Sequence, residues 1–255
     1  MSPGFGIEWS SFDTRTLDVV LSYTPDQFPR KETFLNRLEP FLNRVIHSDC
    51  IQLLPKIPSE SVDLIITDPP YLVDYLPRDR RRCCGDNNDY WLRPAFRELY
   101  RVLKSNSFCV TFYGWPHIDR FMTVWKEVGF RPVSHLVWVK SHCSREGYTA
   151  SFHEVAYLLA KGWPPKPSKP IPDVLRWEYT GNELHPNEKP VIAVTPLIES
   201  FSKPGDIILD PFCGSGTTGV AAKLWGRRFV LIEKVWKYFQ TTSERLAALK
   251  LHAPL

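Results

Sequence analysis

Residues 206–222 read DIILDPFCGSGTTGVAA, and the order of residue types within them decides the class of fold. Ile207, Ile208 and Leu209 are apolar without alternation, as in a strand covered on both faces. Asp210 and Pro211 stop that strand, and Gly214 and Gly216 let the backbone turn tightly before small residues open a helix. A helix start carries amide N–H groups with no partner inside the helix, which suits a carboxylate or an anion nearby. The next strand, FVLIE at 229–233, ends about twenty residues later in Glu233, where an acid can accept both hydroxyls of a ribose. No Lys-Ser or Lys-Thr pair follows the glycines, which argues against a nucleoside triphosphate loop. Alone the loop reads equally as a tight strand-to-helix turn; its pairing with Glu233 turns the reading towards a nucleoside cofactor.

Outward from this unit the same alternation continues. RVIH (44–47) and SVDLIITD (61–68) read as strands on either side of a short helix in CIQLLPKI (50–57). DYWLRPAFRELYRVLK (89–104) carries Leu92, Phe96, Leu99, Tyr100 and Leu103 at helical spacing, and SFCVTFYG (107–114) follows it as a strand. WPHIDRFMTVWKEVGF (115–130) is a helix with Pro116 near its start and Gly129 near its end. VSHLVWVK (133–140) and HEVAYLLAKG (153–162) are two further strands, and the Pro-rich stretch after them is expected to be irregular. Strands alternating with helices predict an α/β fold, a mostly parallel sheet with helices on both faces. Residues 1–42 lack this pattern and read as an N-terminal extension, with Phe34, Leu35, Leu38 and Leu42 at the spacing of a docking helix. Residues 43–255 form the expected catalytic domain.

The 255 residues suffice for one core without covalent staples. The six cysteines, at 50, 83, 84, 109, 143 and 213, form no C-x-x-C pair and no zinc spacing, so a reduced, cytoplasmic chain without a metal is expected. The N-terminus lacks the pattern of a secretory leader, and no apolar run reaches membrane-spanning length. A net charge of +4 is only mildly basic, and permits an anionic partner without requiring one.

ITDPPY at 66–71 places an acid, two prolines and an aromatic ring at a strand end. In an open parallel sheet ligands bind beyond the carboxyl ends of the strands, so Asp68 and Asp210 can face one cleft. The prolines hold the backbone so that the Asp68 side chain and the Pro69 carbonyl can point at one amino group, while Tyr71 offers a face for a flat base. Together DPPY (68–71), DPFCGSG (210–216), LIE (231–233) and HPNEKP (185–190) resemble the amino-group DNA methyltransferases that use S-adenosylmethionine, of the permuted type whose catalytic tetrad precedes the glycine motif. The resemblance covers about residues 44–250. It implies a Rossmann-like methyltransferase fold with one antiparallel strand, and transfer to the N6 amino group of a flipped adenine by direct in-line attack. Asp68, Pro69, Pro70 and Tyr71 match the catalytic tetrad. Asp49 and Cys50, His185, Asn187 and Lys189, and Asp210, Phe212, Gly214, Gly216 and Glu233 match the cofactor motifs, with Asn187 where the family usually has Thr.

Cytosine-C5 enzymes need a cysteine after a proline, and none of the six cysteines follows one. Cytosine-N4 enzymes share the mechanism but more often carry Ser in place of Asp68, so Asp68 favours adenine. A catalytically silent DNA-binding module is the remaining reading, and the competent residue at every matched position argues against it. Three segments are candidates for holding duplex DNA: loop 74–90 with Arg78, Arg80, Arg81 and Arg82; loop 141–152 with Arg145, beside Lys140; and the stretch 161–184 with Lys166, Lys169 and Arg176. The arginine run reads equally as a loop closing on phosphates or as a solvated loop. The aromatic residues Trp163 and Trp177 read best as packing. Some members of the family dimerise or accompany a restriction endonuclease, and the sequence leaves both open for this chain.

Overall fold

The computed structural model describes residues 37–73, 85–144, 148–185 and 187–249. Among these residues eight strands form a single sheet: β1 (Arg44–His47), β2 (Val62–Thr67), β3 (Leu103–Phe112), β4 (Arg131–Ser144), β5 (Ser151–Lys161), β6 (Val174–Arg176), β7 (Ile207–Asp210) and β8 (Arg228–Glu233), in the order β1-β8-β7-β2-β3-β5-β4-β6. All neighbours are parallel except those of β5, which runs antiparallel to both β3 and β4. The expected sheet, mostly parallel with one reversed strand, is therefore present. The α-helices of the described residues are α1 (Cys50–Leu53), α2 (Leu92–Val102), α3 (Ile118–Glu127), α4 (Val191–Phe201), α5 (Thr217–Leu224) and α6 (Trp236–Ala248).

The central strands read as unbroken apolar runs because both faces are covered. Ile65, Leu209, Val230 and Ile232 pack with α2 and α3 through Phe96, Leu99, Phe121 and Trp125. Their neighbours Leu64, Ile66, Ile208 and Leu231 point the other way and pack with α4 and α5 through Val194, Leu197, Val220 and Ala221. On α2 the buried residues are Leu92, Ala95, Phe96, Leu99 and Val102, the three-to-four spacing of a helix with one apolar stripe. Leu38 and Leu42 are buried in the first cluster, so the end of the N-terminal extension belongs to the core. The rest of the expected docking helix, including Phe34 and Leu35, lies outside the described residues.

Four strands depart from the sequence reading. β4 runs on to Ser144 and β5 starts at Ser151, so both enter the expected loop 141–152. β3 begins at Leu103, four residues before the apolar pattern, because Lys104 and Ser105 are held as a strand end by Asp63 and Glu60. β6 lies inside the Pro-rich stretch expected to be irregular. Its three residues pair along Val137–Val139, too short a strand to show a period, and as an edge strand it tolerates the nearby prolines.

Candidate active site

β2 and β7 are neighbours in the sheet, with Leu64 opposite Ile208 and Ile65 opposite Leu209. From β2 the chain proceeds to β3 on one side, and from β7 to β8 on the other. A crevice opens beyond the carboxyl ends of strands at such a reversal. Asp68 and Asp210, far apart in the chain, thus meet at one cleft, lined also by Pro69, Pro70, Tyr71, Asp49, Cys50, His185, Asn187, Lys189, Phe212, Gly214 and Glu233. Gly216 does not line it; it supports the loop from beneath.

The glycine loop is fastened to β8 through Glu233. One carboxylate oxygen accepts the Gly214 amide at 2.9 Å and the other the Val235 amide at 2.7 Å. Burial pushes this carboxyl up, partly offset by those amides. Gly216 sits at the start of α5 with φ +79°, a left-handed conformation that side chains resist, and a Cβ there would overlap Thr242. The Thr242 hydroxyl donates to the Gly214 carbonyl at 2.6 Å, so α6 holds the loop from behind. Asp49 caps α1 by accepting the Ile51 amide at 2.9 Å and pairs with Lys234 at 2.9 Å. Burial opposes its ionisation, yet Lys234 and the Ile51 amide hold its carboxyl below the usual range.

Across the cleft the tetrad folds back on itself. The Tyr71 hydroxyl donates to Asp68 Oδ1 at 2.7 Å, and Lys189 Nζ donates to Asp68 Oδ2 at 2.5 Å. The Tyr71 amide donates to Asp86 at 2.8 Å, so the described end of loop 74–90 is bound to the tetrad. Trp91 anchors the same return through its indole N–H on the Gly85 carbonyl at 3.0 Å and an edge contact with Phe212, ring centres 5.2 Å apart. His185 meets Tyr238 edge-on at 4.3 Å and accepts the Asn187 amide at 3.1 Å. These contacts join the HPNEKP segment to both halves of the site.

The profile of the N6/N4 methyltransferase family, described as DNA methylase, matches residues 62–173 and 161–244. This chain belongs to that family. YubD of Escherichia coli (strain K12), a chain named for methylase activity, is 50% identical over 209 residues, which cover 82% of this methylase and 92% of YubD. The type II methyltransferase M.HinfI of Haemophilus influenzae is 27% identical over 263 residues, covering 84% of this chain and 70% of that one. Among solved structures, the M1.HpyAVI–SAM complex superposes with a TM-score of 0.65 at 25% identity, covering 80% of this methylase and 98% of its own chain. The cytosine-N4-specific PvuII DNA methyltransferase shares the fold, with a TM-score of 0.67 at 19% identity over 82% of this chain and 87% of its own.

The methylase's DNA-holding candidates are dispersed. Arg78, Arg80, Arg81, Arg82 and Arg145 lie outside the described residues. Lys140 is mostly buried and paired with Glu154 at 2.8 Å across β4 and β5. Because β5 runs backwards, the segment that follows it starts at the amino-terminal edge of the parallel strands, where the Lys161 ammonium donates to the Leu103 carbonyl at 2.6 Å. Lys166 and Lys169 are exposed in that segment, and the Lys169 carbonyl accepts the Ser200 hydroxyl near the end of α4. Both lysines therefore sit at the end of the sheet away from the cleft. Trp163 is exposed there too, stacked under the Arg131 guanidinium at 3.8 Å. β6 then carries the chain back, leaving Arg176 exposed at its cleft end and Trp177 partly buried beside Lys189.

Sequence reasoning missed several cleft residues. Thr67, Asp86, Trp91 and Phe112 line the cleft but bear no motif. Glu188, inside HPNEKP, pairs with Arg245 of α6 at 3.3 Å, and Arg245 donates to the Ser215 carbonyl at 3.0 Å. The 3.6-residue period of α6 shows its apolar stripe; a lone arginine on such a helix gives no signal of what it reaches.

Asp210 lies on the cleft floor, accepting the Phe212 amide at 3.1 Å. Burial pushes its carboxyl up to about 7, offset in part by Thr218 and the Phe212 amide, with Asp68 and Glu233 adding to the rise. An unfolded aspartate titrates near 3.9, so the folded methylase holds this proton more tightly. The stabilisation from that proton is fully present below the unfolded value and is lost as pH rises through about 7. Asp210→Asn should therefore gain stability relative to the wild type as the buffer is taken from about pH 5 to about pH 8. Thermal denaturation of both proteins across that range checks this; a difference that stays constant with pH would show that Asp210 does not titrate in this way.

Proposed function

We propose that this DNA methylase transfers a methyl group from S-adenosylmethionine to the exocyclic N6 amino group of an adenine rotated out of double-stranded DNA. The observation that carries the reading is the single cleft shared by the Asp68 tetrad and the Gly214 loop. When bound, S-adenosylmethionine supplies a sulfonium methyl that passes to an amine lone pair as the C–S bond breaks and sulfur keeps the electron pair.

The residues fit such a group. Asp68, Asp210 and Glu233 gather acidity in one cleft, which suits a donor bearing a sulfonium and an ammonium. The Thr67 hydroxyl, buried at the same cleft, has no hydrogen-bond partner among the described residues, and a buried polar atom of that kind is satisfied by a ligand or water. Glu233 and Asp49 would hold the nucleoside, Gly214 and Phe212 would lie along it, and His185 with Asn187 would hold the methionine end. Cys50 and Cys213 also line the cleft. Burial pushes the Cys50 thiol up to about 12 and the Cys213 thiol well above its ordinary value. Neither supplies the thiolate that covalent C5 chemistry requires.

On the acceptor side an adenine amino nitrogen is a poor nucleophile, since its lone pair is delocalised into the ring. Asp68 and the Pro69 carbonyl would accept its two N–H groups and draw the nitrogen towards a tetrahedral form. A held near-attack geometry can lower a barrier by about 7–11 kcal/mol. Extruding the base costs a few kcal/mol, which stacking on Tyr71 would offset in part. The test is transfer of tritiated methyl from S-adenosylmethionine to duplex DNA, followed by digestion to nucleosides. Label is expected in N6-methyladenine. Label in N4-methylcytosine would reassign the base, and unlabelled DNA would overturn the proposal.

A further inference from the structure

An ammonium is strongly hydrated, and burying one is unfavourable unless a counter-ion and hydrogen bonds replace the water. Lys189 is 8% exposed. Its carbonyl accepts the Thr217 hydroxyl at 2.8 Å, tying its backbone to the first turn of α5, while its Nζ donates to Asp68 Oδ2 at 2.5 Å. The rings of Phe112, Tyr71 and Trp177 stand around that nitrogen with centres 5.0, 5.5 and 5.9 Å away, within the range of cation–π attraction. They come from β3, from the tetrad and from the segment after β6. Three distant parts of the chain thus enclose one positive charge against the carboxylate that heads the tetrad.

We propose that Lys189 is a positioning residue for methyl transfer, a resident counter-ion that favours the charged form of Asp68 and holds it turned into the cleft to receive the target amine. This rests on the amino-methyltransferase reading above. It gives Lys189 a role different from the cofactor contact implied by the resemblance of HPNEKP.

The surroundings of Asp68 show why the charge matters. Burial outweighs the rest and holds its carboxyl above the usual range, while Lys189 and the Tyr71 hydroxyl pull it back in part and Glu154 pushes it up again. Asp210 is a second buried acid facing it across the floor, while Glu154 is itself paired with Lys140. Among the described residues that face Asp68, only Lys189 brings a positive charge into direct contact. A protonated Asp68 would turn an O–H towards the amine instead of accepting its N–H. Without Lys189 the carboxyl keeps its proton to higher pH, and the acid limb of the activity profile moves upward.

The experiment measures kcat/KM for methyl transfer against pH, and S-adenosylmethionine affinity by calorimetry, for the full chain and for Lys189→Met. Lys189→Gln replaces the Met variant if that does not fold. Below the acid limb of the wild type the variant is expected to lose about tenfold in kcat/KM, because its own limb is displaced upward by about one pH unit, and activity should recover as pH rises. Affinity should stay within about threefold, and Lys189→Arg should restore the profile. An unmoved acid limb together with about tenfold weaker cofactor binding would assign Lys189 to the cofactor and overturn the inference. If the wild type itself transfers no methyl group, the function proposed above fails. The inference is then decided by NMR titration of the 13C-labelled Asp68 carboxyl, assigned with Asp68→Asn: a higher pKa in Lys189→Met than in the wild type supports it, and an equal one overturns it.

Discussion

Asp68→Ala is expected to lower kcat for methyl transfer by about 10³-fold, the scale on which loss of one preorganised hydrogen-bonding group at a reacting centre is felt. The substitution removes the carboxylate that would accept the amine, and it also strands Lys189. That ammonium lies in a pocket where its side chain is 9% exposed, and leaving a buried charge without its partner costs about 3–5 kcal/mol. Asp68 itself is 21% exposed, so the lower end of that range is expected. Stability and rate should therefore fall together. Asp68→Asn separates the two effects, because an amide keeps the volume and one acceptor oxygen but cannot neutralise Lys189. Its rate should remain low while part of the packing is retained. Thermal denaturation and single-turnover methyl transfer measure both, and a kcat within about tenfold of the wild type in Asp68→Ala would remove Asp68 from the chemistry.

The second large effect is expected at Gly216, which does not touch the cleft. With φ +79° and Thr242 against the place of a Cβ, Gly216→Val meets both an unfavourable backbone conformation and a clash, together about 3 kcal/mol. For a chain of this size that corresponds to a fall in Tm of roughly 6–12 °C. Thr242 also holds the Gly214 carbonyl, so displacing Thr242 moves the loop whose amide is fixed by Glu233. Cofactor affinity should weaken by about tenfold or more, although no residue in contact with the cleft has changed. Calorimetric titration with S-adenosylmethionine gives the answer; wild-type affinity in a folded Gly216→Val protein would show that α6 does not govern the loop.

Much of this was legible along the chain because local chemistry repeats at fixed intervals. The stripe Leu92, Phe96 and Leu99 showed α2, and the unbroken apolar runs before Asp68 and Asp210 showed strands covered on both faces. β6 was not legible, since three residues display no period and the prolines around them argue for a loop. Lys166 and Lys169 looked like companions of Arg176 because they are near it in sequence. The reversed direction of β5 sends them to the far end of the sheet, while β6 brings Arg176 back. Direction of travel is not encoded in composition.

The sequence alone determined the class of fold, the motifs that match the N6/N4 DNA methylase family, and the turns at Gly214 and Gly216, because each follows from bonding and periodicity among near neighbours. Only the tertiary structure decided that Asp68 and Asp210 share a cleft, that Glu188 reaches Arg245, and that Lys189 lies against Asp68 within three rings. Such pairings join residues tens to more than a hundred positions apart. They depend on which strands lie side by side, and that is settled by burying both faces of the sheet at once.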